Sequence, residues 1–187
     1  MVRAIILAAG RGSRMDVSTD ALPKCLITLA GRRLLDRQID SLSNGGVTEI
    51  GIVTGYAANY LSQEPLVRFH NEQWETTDMV TSLECANSWL DNSPCIVSYS
   101  DIFYDSSAIA TLVRSADDLA ITFDQEWLDQ WQARFIDPLS DAETFKLNNS
   151  GYLTEIGKRT CDISEIQGQY MGLLRFTPTG WKAFLQA

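Results

Sequence analysis

The sequence predicts an α/β fold with a mainly parallel sheet, helices on both faces and a small antiparallel annex. Over residues 2–123, short apolar segments alternate with amphipathic segments, a rhythm typical of parallel strands joined by crossover helices. This rhythm stops after Asp124, where Asn149-Ser150-Gly151 separates two strand-like segments and indicates a hairpin. These two patterns together define the fold class.

Each predicted element rests on a local pattern. Strands are predicted where apolar runs end at turn residues, over 2–7, 47–54, 66–69, 94–100, 119–123 and 169–176. Helices are predicted where apolar residues recur at helical spacing, around 34–42, over 79–90 and 106–114, and from Pro178 onward. The hairpin strands are predicted over 145–148 and 152–156. Since no repeat or linker divides the chain, residues 1–187 are predicted to form a single domain.

Composition narrows the class of partner. The 187 residues carry a formal net charge of −9, which argues against binding to nucleic acid or to an anionic membrane. Several basic residues nevertheless lie close together near the N-terminus, which indicates a local anion site: Arg3, Arg11, Arg14, Lys24, Arg32 and Arg33. No apolar run is long enough to span a bilayer, and the four cysteines lack metal or redox spacing. We therefore expect a cytoplasmic protein with reduced thiols.

A glycine-rich loop follows the first predicted strand. It comprises Leu7, Ala8, Ala9, Gly10, Arg11, Gly12, Ser13, Arg14 and Met15. Its small residues let backbone N–H groups approach phosphate oxygens, and its arginines supply the charge that a triphosphate demands. Lys24, after Pro23, is placed to neutralise charge on an α-phosphate. The loop lacks the third glycine of a dinucleotide site and the Gly-Lys-Ser/Thr of a Walker site, so an oxidoreductase is not expected.

An aspartate ends the apolar segment 94–100. Ligands collect at the carboxyl ends of strands in open α/β sheets, so Asp101 could hold Mg²⁺ against a triphosphate. The alternative is a loop or capping aspartate, and spacing alone does not separate the two. Asp105 is predicted to cap the next helix.

The stretch from Leu7 to Met15, followed by Pro23-Lys24, resembles the signature of the sugar-nucleotide and cytidylyl transferases. The resemblance implies a Rossmann-like nucleotidyltransferase fold whose loop wraps the nucleotide. It implies Arg14 on the β- and γ-phosphates, Lys24 on the α-phosphate and Mg²⁺ on Asp101, because the family places a metal aspartate after its fourth main strand. Lys24, Arg14 and Asp101 are thus the predicted catalytic residues.

Later segments resemble the small phosphocholine cytidylyltransferase group, which also contains enzymes for aminoethylphosphonate. These segments are 53–56, 71–83, 122–147 and 167–172. The resemblance implies nucleotide contacts at the following residues: Thr54, Gly55, Tyr56, Thr81 and Ser82. The last two would lie near the base, with Ala8 and Ala9 on its other side. The group usually has Asn where this chain has Asp78, so no direct role is implied for Asp78.

The substrates of that group carry a cation at the end opposite the phosphorus, which aromatic faces and carboxylates recognise. The candidates in the annex are Trp127, Trp131, Tyr170 and Glu165. The alternative for Trp127 and Trp131, four residues apart, is one helix face packed on the core. His70, the only histidine, is predicted to be a strand-end residue rather than a catalyst.

The predicted function is Mg²⁺-dependent transfer of CMP from CTP to a small phosphorylated or phosphonate substrate, with release of pyrophosphate. Two alternatives stay open: a sugar-1-phosphate nucleotidyltransferase or other NTP transferase, and a non-catalytic nucleotide-binding domain. Family members supply a second metal carboxylate beyond the region matching 169–187. Either this chain is truncated at the C-terminus or its metal site is built differently. A homo-oligomer is equally open.

Overall fold

The computed structural model describes residues 1–12 and 22–187. These residues form ten strands, which are β1 (Arg3–Ala8), β2 (Thr28–Leu29), β3 (Arg32–Arg33), β4 (Glu49–Thr54), β5 (Val67–His70), β6 (Cys95–Tyr99), β7 (Leu119–Asp124), β8 (Glu143–Leu147), β9 (Leu153–Arg159) and β10 (Gln169–Phe176). Their six α-helices are α1 (Leu34–Asn44), α2 (Met79–Glu84), α3 (Asn87–Leu90), α4 (Ser106–Arg114), α5 (Trp127–Arg134) and α6 (Pro178–Phe184). The predicted loop residues Ser13 and Arg14 lie outside the described residues.

Six of the strands form one sheet in the order β5-β4-β1-β6-β10-β7. The four strands from β5 to β6 run parallel, and β10 pairs with β6 in the antiparallel direction. Two small antiparallel sheets, β2-β3 and β8-β9, complete the described strands. A mainly parallel sheet with an antiparallel addition was predicted, and the structure confirms it.

Helices cover both faces of this sheet. The neighbouring residues Ile5 and Ile6 point to opposite faces because they are adjacent in β1, and both are fully buried. Ile6 packs in a cluster with Leu35 of α1 and Ile109 of α4, whereas Ile5 packs in another with Trp181 of α6. Strands buried on both faces are expected to be continuously apolar, as β1 is after Arg3.

The element predictions hold with one clear exception. α4 and β10 have the predicted bounds, and most other predicted strands and helices shift by one to three residues. The single helix predicted over 79–90 is wrong, because α2 and α3 are separated at Cys85 and Ala86. Leu83, Ala86 and Leu90 are buried as the helical spacing required, but Met79 is 46% exposed. Ala86 leaves helical geometry, with φ −99° and ψ 17°, which turns the chain into α3.

The described chain divides into two compact units. The first unit is Met1–Ala120 with Gly172–Ala187, and the second unit is Ile121–Met171. The second unit has its own small core, where Trp127, Ala142 and Ile166 are buried. Whether the two units behave as the single predicted domain stays a prediction. No helix within the described ranges has the length and apolar character needed to cross a membrane.

Candidate active site

Three parallel strands of the first unit end at one edge of the sheet. In register, Leu7 of β1 lies opposite Val53 of β4 and Tyr99 of β6. The residues that follow these strands therefore emerge side by side, where open α/β sheets bind ligands. The backbone N–H of Tyr56, after β4, donates to the carbonyl of Ala9, after β1, at 2.9 Å. This hydrogen bond joins two of the predicted nucleotide-binding segments.

A cleft of about 290 Å³ opens at this edge, and we call it the strand-end cleft. Its described lining consists of Leu7, Ala9, Gly10, Gly12, Lys24, Trp74, Thr77, Asp78, Met79, Ser82, Tyr99, Ser100 and Asp101. Predicted nucleotide or catalytic residues thus meet in one place: Leu7, Ala9, Gly10, Gly12, Lys24, Ser82 and Asp101. The other described ones are not part of this lining: Ala8, Arg11, Thr54, Gly55, Tyr56 and Thr81.

Gly12 lies directly against the side chain of Lys24. A Cβ added at Gly12 would stand 2.1 Å from the Lys24 Cε atom, and Gly12 has φ +73°. Both observations favour glycine, which alone tolerates this φ without strain and leaves room for the lysine stem. The loop predicted to bind phosphate therefore also constrains the position of the Lys24 side chain.

Lys24 forms an ion pair with Asp101. Lys24, which opens a short 3₁₀ helix, places Nζ 2.6 Å from Oδ2 of Asp101. The side chains are 19% and 34% exposed, respectively, so the pair is open to the cleft yet partly shielded from water. The two residues are 77 positions apart in sequence. The structure brings together a cation and a carboxylate that sequence reasoning had assigned to the same reaction.

The segment that carries Asp101 is anchored from α1. Gln38 is fully buried, and its Nε2 donates to the carbonyls of Tyr99 at 2.8 Å and Ile102 at 2.6 Å, on either side of Asp101. Gln38 was missed by the sequence analysis, because a glutamine within a helical pattern gives no sign of its distant partners. Its two bonds hold both ends of this short segment.

The opposite wall of the strand-end cleft is built by α2 and the segment before it. Asp78 caps α2, accepting hydrogen bonds at Oδ1 from the backbone N–H of Thr81 at 2.8 Å and from its hydroxyl at 3.0 Å. These bonds hold the pKa of the Asp78 carboxyl below its usual range. Thr81 thus serves the cap, while Ser82 is buried and faces the cleft. Trp74, Thr77 and Met79 also line this wall, although sequence reasoning had not named them as site residues.

The predicted Thr54-Gly55-Tyr56 segment packs against residues that line the strand-end cleft. Thr54 is 3% exposed, and its hydroxyl lies 3.2 Å from the Phe69 carbonyl and 3.0 Å from Nδ1 of His70. A Cβ on Gly55 would stand 2.7 Å from the Ala9 carbonyl oxygen, so only glycine allows this approach. The Tyr56 ring packs edge-on against Trp74 at 5.3 Å. His70 ends β5, as predicted.

The carboxylates of the cleft suit a cation only in part. No group of three or more His, Cys, Asp or Glu side chains that could hold a metal occurs within residues 1–12 and 22–187. Mg²⁺ is commonly bound by one or two carboxylates together with substrate phosphates and water, so the metal role of Asp101 stays a prediction. Asp105 instead caps α4 by accepting from the Ser107 N–H at 2.8 Å, as predicted.

The predicted substrate residues belong to the second unit. Trp127 is 4% exposed in its core, and the Trp131 ring meets it edge-on at 5.9 Å, as the helix-face alternative expected. Glu165 accepts from Nζ of Lys146 at 2.8 Å and from the Thr160 hydroxyl at 2.7 Å, and both interactions lower its pKa. Tyr170 is half-buried in β10. The substrate role of these four residues stays a prediction.

The family model of the MobA-like NTP transferase domain matches residues 4–144, well over half of the chain. The chain belongs to this family. The match begins in β1 and includes the whole described lining of the strand-end cleft. Together with the relatives below, membership makes the chain a nucleotidyltransferase, as predicted.

Individual relatives agree with the family. The CTP:phosphoglutamine cytidylyltransferase of Campylobacter jejuni is 37% identical over 186 residues, which are 94% of this chain and 73% of that protein. The choline-phosphate cytidylyltransferase of Streptococcus pneumoniae is 33% identical over 49% of this chain and 42% of its own length. The inositol-1-phosphate CTP transferase of T. maritima superposes with a TM-score of 0.76 at 18% identity, covering 99% of this chain and 74% of that one. This last likeness shows the shared fold.

Proposed function

We propose that this nucleotidyltransferase transfers CMP from CTP to a small phosphorylated or phosphonate substrate and releases pyrophosphate. The observation that carries the proposal is the Lys24–Asp101 pair beside Gly12, at the carboxyl end of β6. The pair supports the proposal because it sets a cation and a carboxylate beside the glycine-rich loop, and transfer from a nucleoside triphosphate needs both kinds of group near the phosphates. The cytidylyl specificity is supported by the Campylobacter and Streptococcus relatives, both named as enzymes that use a cytidylyl group.

The proposed reaction is an in-line displacement. An oxygen of the substrate's phosphate or phosphonate attacks the α-phosphorus of CTP, a new O–P bond forms, and the bond to the β-phosphate oxygen breaks. The attacking oxygen is already anionic, so the reaction needs no general base. Catalysis then consists of positioning and charge neutralisation.

Each catalytic residue has a separate task in this proposal. Lys24 would contact the α-phosphate and stabilise the charge that builds there. Arg14, which lies outside the described residues, would bind the leaving pyrophosphate. Asp101 would hold a Mg²⁺ ion, which supplies further neutralisation of the triphosphate when bound.

The residue that selects the substrate is proposed to lie in the second unit. Trp131 is a better candidate than Trp127 because its ring is partly exposed, whereas Trp127 is 4% exposed. Glu165 could bind a substrate ammonium group once it leaves Lys146. Phosphoglutamine, phosphocholine and 2-aminoethylphosphonate, which appear in the relatives' names, are the first substrates to test.

A pyrophosphate-release assay tests the proposal. The four NTPs are combined with these three substrates, with inositol-1-phosphate and with glucose-1-phosphate, the last because glucose-1-phosphate adenylyltransferases also match 56% of the chain. We expect release with CTP and one of the small phospho-substrates, and its loss in EDTA. Release only with ATP and glucose-1-phosphate would establish the sugar-nucleotide alternative. Absence of release from every pair would favour a non-catalytic domain.

Substitutions of lysine test whether pyrophosphate release depends on the ion pair between Lys24 and Asp101. Lys24→Met is expected to lower kcat by about 100-fold, the usual effect of removing one donor to a developing oxyanion. Lys182→Met, on the exposed end of α6, removes an equivalent charge away from the cleft and should keep the wild-type rate. An unchanged rate in Lys24→Met would refute the role of the pair.

A further inference from the structure

The short 3₁₀ helix Lys24–Leu26 is attached to the start of α1. It is followed by Ile27, whose carbonyl accepts from the backbone N–H of Leu34, the first residue of α1, at 3.0 Å. Cys25, in the middle of the 3₁₀ helix, is fully buried in the same apolar cluster as Leu35 of α1. The lysine that opens the 3₁₀ helix therefore extends from backbone that α1 holds in place.

The segment 99–104, which carries Asp101, is attached to the middle of the same helix. Two side chains of α1, Gln38 and Ser41, donate hydrogen bonds to backbone carbonyls of this segment. Those carbonyls belong to Tyr99, Ile102 and Tyr104. Because residues three apart lie on one face of a helix, a single face of α1 binds this segment along its length.

The amide group of Gln38 suits this position. Its Nε2 atom carries two hydrogens, and the carbonyls of Tyr99 and Ile102 accept at 2.8 Å and 2.6 Å. Carbonyls can only accept, so the orientation of the amide is determined. Its Oε1 atom is buried and has no hydrogen-bond partner among the described residues. An unpaired buried acceptor is unfavourable, so the two donor bonds, and not the acceptor, determine how this side chain is placed.

The carboxylate of Asp101 depends on this backbone support. Among the described residues, its hydrogen-bond partner is the ammonium group of Lys24 and no other. An ion pair that is partly open to water contributes little to holding its two members in place. The position of the carboxylate is therefore set mainly by the two anchored carbonyls on either side of Asp101.

We propose that Gln38 is a positioning residue, which sets the Asp101 carboxylate opposite Lys24 by fixing the backbone on both sides of it. Gln38 acts through Asp101 and does not line the strand-end cleft itself. The catalytic consequence rests on the proposed function, because it assumes that the pair takes part in the reaction. The placement of the pair requires neither a ligand nor turnover.

Gln38→Met tests the proposal, because methionine has a similar length and volume but cannot donate. In its crystal structure we expect Nζ of Lys24 and Oδ2 of Asp101 to lie beyond about 4 Å, the limit of an ion pair. We expect kcat to fall about 10- to 100-fold, the usual effect of losing a group that orients a catalytic residue.

A double-mutant cycle separates positioning from a general loss of structure. In an Asp101→Asn background the carboxylate is already absent, so Gln38→Met should change kcat by at most a few-fold. A merely structural role would lower kcat by the same factor in both backgrounds. Gln38→Glu offers a second variant if Gln38→Met does not fold. It keeps the size of the side chain, and its carboxyl group can donate at most one hydrogen.

Gln169→Met is the matched control. Gln169 is also a buried glutamine, and its Nε2 donates to the carbonyls of Glu143 at 2.7 Å and Gly168 at 3.1 Å. It belongs to the second unit, so this substitution should lower Tm and leave the distance between Lys24 and Asp101 at the wild-type value.

Two results would overturn the inference. They are an unchanged position of the Asp101 carboxylate in the variant structures, or an equal loss of kcat in the presence and absence of that carboxylate. Failure of the proposed function is seen separately, as absence of pyrophosphate release by the wild type. In that case the structures alone decide, and a displaced carboxylate in an inactive protein would support the positioning role and contradict the proposed function.

Discussion

At the scale of single residues, the site depends on Gly12, which leaves room for the side chain of Lys24. A side chain at Gly12 would collide with the stem of Lys24, whose Nζ lies 2.6 Å from Oδ2 of Asp101. A partly exposed ion pair contributes little to stability because water screens it. We therefore expect the contact between Gly12 and Lys24 to matter more for the rate of the reaction than for the stability of the fold.

Gly12→Ala tests this division of roles. The new Cβ meets Lys24 and should move its Nζ from Asp101, so kcat is expected to fall about 10- to 100-fold. The positive φ should also cost about 1–2 kcal/mol of stability. Steady-state kinetics and thermal unfolding measure the two effects.

Gly46→Ala is its control. Gly46 has φ +101°, but a Cβ there meets nothing within 4 Å. It should lower Tm to a similar degree and leave kcat at the wild-type value. If both variants lose activity equally, backbone strain rather than displacement of Lys24 explains the loss.

At the scale of elements, the short helices depend on capping side chains. Asp105 caps α4 and Asp78 caps α2, each through a backbone N–H of the first turn. Backbone and side-chain hydrogen bonds from Ser107 hold the pKa of the Asp105 carboxyl below its usual range. A carboxyl whose pKa is lower in the folded state stabilises the fold above its unfolded pKa, of about 4. That contribution disappears as pH falls through the folded value.

Asp105→Asn is therefore expected to be less stable than the wild type at pH 7, because it keeps an acceptor but loses the charge. The difference should shrink as pH falls below about 4, where the wild-type carboxyl also becomes neutral. Urea unfolding at both pH values measures it. A difference that is constant with pH would show that charge has no part in the cap.

Helices and strands with a clear apolar period could be predicted from the sequence. Polar side chains that hold distant segments together by hydrogen bonds could not. The bounds of α4 and β10 follow from apolar spacing and turn residues. The break at Ala86 was missed, because the burial of Leu83 and Leu90 satisfies a continuous helix equally well. Gln38 and Asn71 were missed because their partners lie on other segments of the chain. The Gly-rich loop with Lys24 was predictable because its chemistry is local, while the wall around Thr77 depends on tertiary contacts.

At the scale of the whole molecule, the two units differ in how much core each contains. The first unit has residues with no exposure in both clusters of the main sheet, such as Ile6 and Val53. The second unit has a small buried cluster of Trp127, Ala142 and Ile166, and a hairpin whose strand β9 is mostly exposed. Local opening requires less free energy where few apolar contacts are lost.

Hydrogen exchange followed by mass spectrometry should separate the units. Peptides from β8 and β9 are expected to exchange well before peptides from β1 and β6, and to do so as one block. The comparison is made within one sample, so pH and temperature act equally on both. Simultaneous exchange of all four strands would show that the units open together.

The ion pair between Lys24 and Asp101 also limits which ligands can bind between these two side chains. A ligand entering there separates two charges, so it must offer an anion to the ammonium group of Lys24 and a cation to the carboxylate of Asp101. Without an accompanying metal ion, a purely anionic compound leaves the carboxylate without a counterion, and a purely cationic one leaves the ammonium group without one. Zwitterions of short span are therefore the fragments from which an inhibitor for this end of the cleft should be built.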